Sequence, residues 1–313
     1  MTLATRYLSA RTLDTAPVPS TPPGPGEVEL APAYVGICGT DLHIFHGDMD
    51  ARVSVPAVLG HEMAGRVVRV GPDVEDWAPG DAVTVMPLRW TVPASTLIRL
   101  PDSLPLDRAA LVEPTAVAVH DVGRAGVRGG ERVVVVGGGP VGVLIALVAR
   151  AAGADVQVVE LSAHRRLRAG ELGLTVWDPA AEDLAELVRQ WTGDAGADVA
   201  FEVSGAAGGV DTAVDVLGVR GRLCLVAIHS RPREVNLHRF FWRELTLVGA
   251  RLYDRTDFEK AVALVAEGTI PADRLISKVV PLTQAPAAFE ALEGGDVMKI
   301  LVDCTDEARE AAV

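Results

Sequence analysis

Residues 131–151 read ERVVVVGGGPVGVLIALVARA, and no other stretch of the chain restricts its fold so tightly. The unbroken apolar run ending at Val136 is what a strand covered on both faces requires. Gly137, Gly139 and Gly142 follow in G-x-G-x-x-G spacing, with Pro140 and Val141 between the last two, and a helical apolar pattern begins at once. Each glycine has a mechanical reason: the first for the tight turn, the second for close approach of backbone to pyrophosphate, the third for helix–strand packing. The helix that follows points free N–H groups and its positive dipole end at a phosphate. Glu160 ends the next strand, DVQVVE, where a carboxylate accepts hydrogen bonds from ribose hydroxyls and repels a 2′-phosphate. The reading is NAD rather than NADP, with the nearby Arg165 and Arg166 pulling toward the 2′-phosphate. The alternation continues through TVWDP, DVAFEVSG, GRLCLVAI and LTLVGARLY with helical segments between them. Six strands with intervening helices make a complete doubly wound dinucleotide domain, placed at residues 115–254.

The 313 residues leave room for a second domain. Residues 1–30 form a Pro- and Thr-rich turn cluster feeding a strand. To about residue 112 the chain then shows short β runs broken by Gly and Pro: EVELAPAYVGI, MAGRVVRVG, DAVTVMPL. The tail offers a helix, DFEKAVALVAEG, and a closing strand, MKILVDC. The expected organisation is a discontinuous β-rich domain, residues 1–114 and 255–313, wrapped around the inserted α/β domain. A net charge of −13 with no basic cluster argues against a nucleic-acid or anionic-membrane partner. The N-terminus reads as no secretion signal, and the longest apolar run, Val141–Val148, is too short for a bilayer. Three widely spaced cysteines are not a disulfide framework and fit a reducing cytoplasm.

Two dense segments of the first domain, VGICGTDLHIFHGD (35–48) and LGHEMAG (59–65), carry the chemistry. Cys38, His61 and Glu62 offer thiolate, imidazole and carboxylate, and Glu113 in LVEPTAVAVH is a further carboxylate. Three such protein ligands with one open position make a Lewis-acid zinc site that polarises a carbonyl or stabilises an alkoxide during hydride transfer. Either Glu62 or Glu113 completes the set. Thr40 is placed to bond the substrate oxygen, Asp41 to fix the His61 tautomer, and His43 to pass the proton outward. Taken singly, a cysteine is more often a small buried hydrophobe and a His–Glu pair more often an ordinary pair of solvent-facing side chains. Of the others, His46 is a cleft-lining candidate, His120 reads as structural, His164 and His238 as solvated, and Cys224 as core.

These motifs, C-G-T-D-L-H, G-H-E, V-E-P-x-A-V-A-V-H and G-G-G-P-V-G, resemble the zinc-containing medium-chain dehydrogenase/reductase family. Within it the likeness is to the sorbitol, threonine and 2,3-butanediol dehydrogenase branch, and it extends to FEVSG (201–205) and GDVMK (295–299). The resemblance implies a GroES-like β-rich catalytic domain plus a Rossmann domain with a six-stranded parallel sheet, and an active site in the cleft between them. It implies Cys38 and His61 as zinc ligands, Glu62 and Glu113 as the carboxylate side, and Lys299 among the cofactor contacts. Gly39 after the ligand cysteine fits the polyol branch. The family's four-cysteine lobe has no counterpart here: GDAVTVMPL runs almost directly into RWTVPASTLIRL around Leu88–Trp90. One catalytic zinc and no structural zinc are therefore expected. The expected activity is hydride transfer between NAD and a small secondary alcohol, diol or polyol and its ketone. A zinc-free quinone or enoyl reductase and a catalytically silent nucleotide-binding protein are the alternatives. The sixth strand, 245–253, is an apolar sheet edge, which in the family pairs with its symmetry mate, so a homodimer or homotetramer is expected.

Overall fold

The computed structural model describes residues 2–85, 91–295 and 297–305. Along the chain run β1 (Thr2–Ser9), β2 (Thr12–Val18), β3 (Glu27–Gly36), α1 (Gly39–Phe45), β4 (Ala57–Val58), β5 (Glu62–Val70), β6 (Ala82–Val85), β7 (Thr91–Pro93) and β8 (Leu97–Arg99). Helices α2 (Leu106–Ala109) and α3 (Val112–Arg124) lead into an alternating stretch. It comprises β9 (Arg132–Val136), α4 (Pro140–Ala151), β10 (Asp155–Val159), α5 (Ala163–Glu171), β11 (Thr175–Trp177), α6 (Leu184–Thr192), β12 (Ala197–Glu202), α7 (Gly209–Val216), β13 (Leu217–Leu225), α8 (Leu237–Arg243) and β14 (Thr246–Gly249). The chain closes with α9 (Arg255–Ala266), α10 (Ala272–Leu275), β15 (Ile276–Pro281), α11 (Ala285–Glu293) and β16 (Lys299–Asp303).

Two compact units result. One comprises the chain through Glu113, then Ala261–Gly268 and the part from Ala272 onward; the other is Pro114–Lys260 with Thr269–Pro271. The second crossing falls inside α9, beyond the break expected after residue 254. The first half of α9 packs with its own unit: the rings of Tyr253 and Phe258 meet edge-on at 4.9 Å, and Asp257 accepts from His120 Nδ1 at 2.8 Å.

In the first unit, β15-β16-β3-β5-β6-β8 form a sheet with β7 on β3, and β2-β1-β4 form a second, three-stranded one. Apart from the parallel β15–β16 pair, the pairings are antiparallel. The β1–β2 hairpin stands where the sequence suggested only a turn cluster. Thr- and Leu-rich alternation carries the pairing, with Ala4 and Tyr7 turned into the core.

The second unit holds a six-stranded, all-parallel sheet in the order β11-β10-β9-β12-β13-β14. Strand β9 is central because Val133 to Val136 are buried without alternation. Helices α5 and α6 begin on side-chain caps, Ser162 accepting from Arg165 N–H and Asp183 from Glu186 N–H at 3.1 Å. Gly193 ends α6 in the left-handed region. The order reverses between β9 and β12, so the carboxyl ends of those strands form the ligand-receiving edge of such sheets.

Candidate active site

In the first unit, β3 delivers Cys38 to the start of α1, and β5 begins at Glu62 directly after His61. The hub of this arrangement is Asp41, 2% exposed. One of its oxygens accepts from Cys38 N–H at 3.0 Å, the other from Gly60 N–H at 3.2 Å, and His61 Nδ1 lies 3.3 Å from that second oxygen. Asp41 thus joins the two sequence-distant segments and fixes the His61 ring through Nδ1, leaving Nε2 for other work. Burial pushes the Asp41 carboxyl up, but His61 and the two backbone donors hold it below its ordinary value. Burial likewise disfavours charge on His61, yet Asp41 first and the Cys38 sulfur after it raise it to about 12.

Glu62 takes a different partner from the one its ligand chemistry suggested. It is fully buried, and both oxygens accept from Lys299 Nζ, at 2.6 and 2.7 Å; the same ammonium donates to Ile37 O at 3.2 Å. Burial works against the charge on Lys299, but Glu62 first, then Cys38 and Glu113, keep it raised. A Cβ on Gly36, the register partner of Glu62, would stand 2.1 Å from a Glu62 oxygen, so only glycine on β3 accommodates this pair. Lys299 was assigned to the cofactor from sequence; the structure sets it on β16 against Glu62. Glu113, 5% exposed, lies in the first turn of α3 and contributes to the field at Lys299.

Among the described residues no three His, Cys, Asp or Glu side chains stand at metal-ligand spacing. The donor chemistry nevertheless fits a zinc ion: a thiolate and an imidazole on facing segments, a carboxylate behind the imidazole, and Glu113 within the same electrostatic neighbourhood. The Leu88–Trp90 junction, where the lobe is missing, lies outside the described residues.

Thr40 and His43 share one face of α1 at i, i+3 spacing, with Thr40 Oγ1 4.0 Å from Cys38 Sγ. His43 Nδ1 pairs with Asp48 at 3.0 Å, a partner the sequence reading did not assign. His46 pairs with Glu293. His120 is tied to Asp257, His238 accepts from Trp242 Nε1 at 2.8 Å, and Cys224 is buried.

In the second unit the glycine-rich turn lies between β9 and α4. Gly137 has φ of +112°, and its Cβ would meet the Ser204 backbone at 2.9 Å. A Cβ on Gly142 would stand 1.9 Å from the Gly137 carbonyl oxygen. Gly139 caps α4 with Pro140 at its first position, then Val141, so the helix presents unpaired N–H groups. Space beyond Gly139 is open, with an Arg165 nitrogen 3.8 Å from where a Cβ would be. Glu160, 8% exposed, accepts from Gly138 N–H and Ser162 N–H at 2.7 Å each. The carboxylate thereby holds the turn to the end of β10. Arg166 is committed to Asp178 at 2.6 Å and to the Glu160 and Leu161 carbonyls. Arg165 Nε is buried without a partner. The cradle fits a dinucleotide pyrophosphate, with Glu160 and Arg165 flanking the place for the adenosine end.

A carboxylate missed from sequence, Glu202, ends β12 fully buried, accepting from Ser204 and Gly205 N–H at 3.0 Å and facing His229 Nε2 at 2.9 Å. Its only sequence signal was its place in FEVSG, at the carboxyl end of a central strand.

Residues 24–100 match the alcohol dehydrogenase GroES-like domain and residues 140–267 the zinc-binding dehydrogenase domain. The chain is 41% identical to 2-dehydro-3-deoxy-L-galactonate 5-dehydrogenase of Pseudoalteromonas atlantica, over 97% of this chain and 99% of that one. The crystal structure of 2R,3R-butanediol dehydrogenase from Bacillus subtilis superposes with a TM-score of 0.88 at 29% identity, covering 97% of this chain and 99% of the other. A zinc-binding dehydrogenase from Sinorhizobium meliloti bound to NADP gives 0.88 at 28%, covering 96% and 98%. The glycine turn, the Cys38–His61 segment and these matches together make the chain a member of the zinc-containing medium-chain dehydrogenase/reductase family, an oxidoreductase of the alcohol and polyol type.

Proposed function

We propose that the protein reversibly oxidises a secondary hydroxyl of a small diol, polyol or polyhydroxy acid to the ketone, with NAD as hydride acceptor. The observation that carries this is Asp41 bridging Cys38 and His61, which pre-sets a thiolate–imidazole pair for a catalytic zinc. Cys38, His61 and Glu113 are the proposed ligands. Glu62, held by Lys299, serves as the charge behind them and not as a direct ligand. When bound, zinc supplies the Lewis acidity that lowers the barrier to deprotonating the alcohol. Thr40 takes the hydroxyl proton and His43 passes it toward solvent. The polyhydroxy acid is added to the substrate class because of the galactonate-derivative dehydrogenase relative.

For the cofactor, Gly137, Gly139, Pro140, Val141 and Gly142 are the proposed pyrophosphate cradle. Glu160 at the end of β10 supports NAD; the NADP complex of the Sinorhizobium meliloti relative and the unpartnered Arg165 Nε support the competing choice. Assembly as a homodimer through β14 is proposed from its place at the sheet edge and from Leu247, 48% exposed there. No helix among the described residues is long and apolar enough to cross a membrane, and a cytoplasmic location is proposed with it.

The test is zinc content measured alongside NAD-linked oxidation of diols, polyols and 3-deoxyaldonates. Expected is one zinc per chain, with Cys38→Ala losing metal and turnover together while NAD affinity holds. Full activity in zinc-free protein refutes the reading.

A further inference from the structure

We propose that Asp48 is the positioning residue of the proton exit, holding the His43 imidazole through Nδ1 so that Nε2 faces the Thr40 side. The inference rests on the dehydrogenase reading above and extends it to the last residue of the 35–48 segment, to which the sequence assigns no role.

The local fold makes the contact obligatory. Helix α1 stops at Phe45, His46 N–H closes on Leu42 O at 2.9 Å, and Gly47, at φ +85°, reverses the chain. Asp48 N–H then donates to His43 O at 3.0 Å while the Asp48 carboxylate meets His43 Nδ1 at 3.0 Å. Backbone and side chain of one residue thus both grip His43. A Cβ on Gly47 would lie 3.0 Å from that of Ala10, so the reversal is fixed by packing as well as by φ.

The other ionisable groups on and around α1 are engaged elsewhere. Asp41 is spent on His61 and backbone, His46 and Arg11 on Glu293, and Asp50 on the Tyr7 hydroxyl at 2.5 Å. Arg6 of β1 is paired with Asp14. Asp48 is the carboxylate that faces His43. His43 is 32% exposed and Asp48 45%, which puts this end of the path in water.

With a dinucleotide held at the glycine turn, the nicotinamide would accept the hydride from the alcohol carbon; the hydroxyl proton would pass to Thr40 Oγ as the Thr40 proton passes to His43 Nε2, and the imidazolium would release it to water. Asp48 holds the ring through Nδ1 and keeps it from flipping its acceptor nitrogen away.

The experiment compares wild type, Asp48→Asn and Asp48→Glu in the zinc-loaded protein. The His43 tautomer is followed by nitrogen NMR of the imidazole, with His43→Gln assigning the signals. Expected is a wild-type ring that carries its proton on Nδ1, and in Asp48→Asn a mixture of tautomers with kcat lower by about tenfold, KM changing less than twofold, and Asp48→Glu restoring both. A wild-type ring protonated on Nε2, a tautomer unmoved in Asp48→Asn, or a changed tautomer with unchanged kcat overturns the proposal. Absence of any dehydrogenase activity in the wild type overturns the functional reading instead, and the NMR arm still decides whether Asp48 sets the His43 tautomer.

Discussion

Asp121 on α3 is fully buried, neither of its carboxyl oxygens has a hydrogen-bond partner, and the mechanism does not use it. Nearby Asp257 accepts from His120 Nδ1 at 2.8 Å and from Asp254 N–H at 3.1 Å. Burial first, and the charge of Asp257 second, push the Asp121 carboxyl from 3.8 up to about 7. In the folded protein Asp121 therefore holds its proton at pH values where the unfolded chain releases it. The stability it contributes is whole below pH 3.8 and is lost as pH rises to about 7. The gap between the two values corresponds to about 4 kcal/mol lost across that window. Asp121→Asn keeps the shape and is neutral at every pH. Its unfolding midpoint should coincide with wild type near pH 4. Above pH 8 it should run higher by roughly 10 °C, about 2–4 °C for each kcal/mol in a unit of this size. Thermal unfolding followed by circular dichroism from pH 4 to 9 measures the gap. Infrared difference spectra should show a protonated carboxyl in wild type at pH 5.5 that the variant lacks. Parallel midpoint curves for the two proteins across the whole range refute the reasoning.

Three further outcomes follow from the geometry. Glu160→Ala removes the charge that repels a 2′-phosphate, so the ratio of kcat/KM for NAD to that for NADP should fall by about tenfold, ~1.4 kcal/mol; an unchanged ratio would show that Glu160 serves only to hold Gly138 and Ser162. Gly142→Ala puts a methyl 1.9 Å from the Gly137 carbonyl, so NAD affinity by calorimetry should drop steeply while zinc content stays at wild-type level; equal affinity refutes the close-packing role. Lys299→Met leaves the buried Glu62 carboxylate without its cation and should cost about 3–5 kcal/mol in denaturant unfolding. Combining it with Glu62→Gln should recover most of that loss, and a single variant as stable as wild type refutes the pairing.

How much of this was legible in the sequence depended on how local the physics was. Strand β9, the glycine turn and α4 could be read because all their determinants lie within twenty-one consecutive residues and each glycine has its own steric reason. Strand β14 at the sheet edge followed from the same alternation. The β1–β2 hairpin was missed because β1 is buried at only some of its positions and the prolines at 17, 19, 22 and 23 dominate the composition there.

The Asp41–His61 contact was legible although the two residues stand well apart in the chain, since both ends belong to motifs whose chemistry needs each other. Glu62–Lys299 was not, being separated by 237 positions and written in residue types that say only acid and base. Its trace was Gly36, whose lack of a side chain has no meaning until β3 is set against β5 and a carboxylate is found where the Cβ would be. Asp121 left no trace at all: on a helix wheel an aspartate beside His120 reads as polar surface, and only the packing of α9 and β13 against it makes it an interior acid. The same distinction orders the function. Residue types within one motif announced which atoms are proposed to meet the cofactor and the metal. The partners that hold those groups in place, Lys299 on Glu62 across the sheet and Asp48 on His43 past the Gly47 turn, emerged only with the fold. They bear on how firmly the site is held, which is where two members of one family, alike in every motif, can still differ.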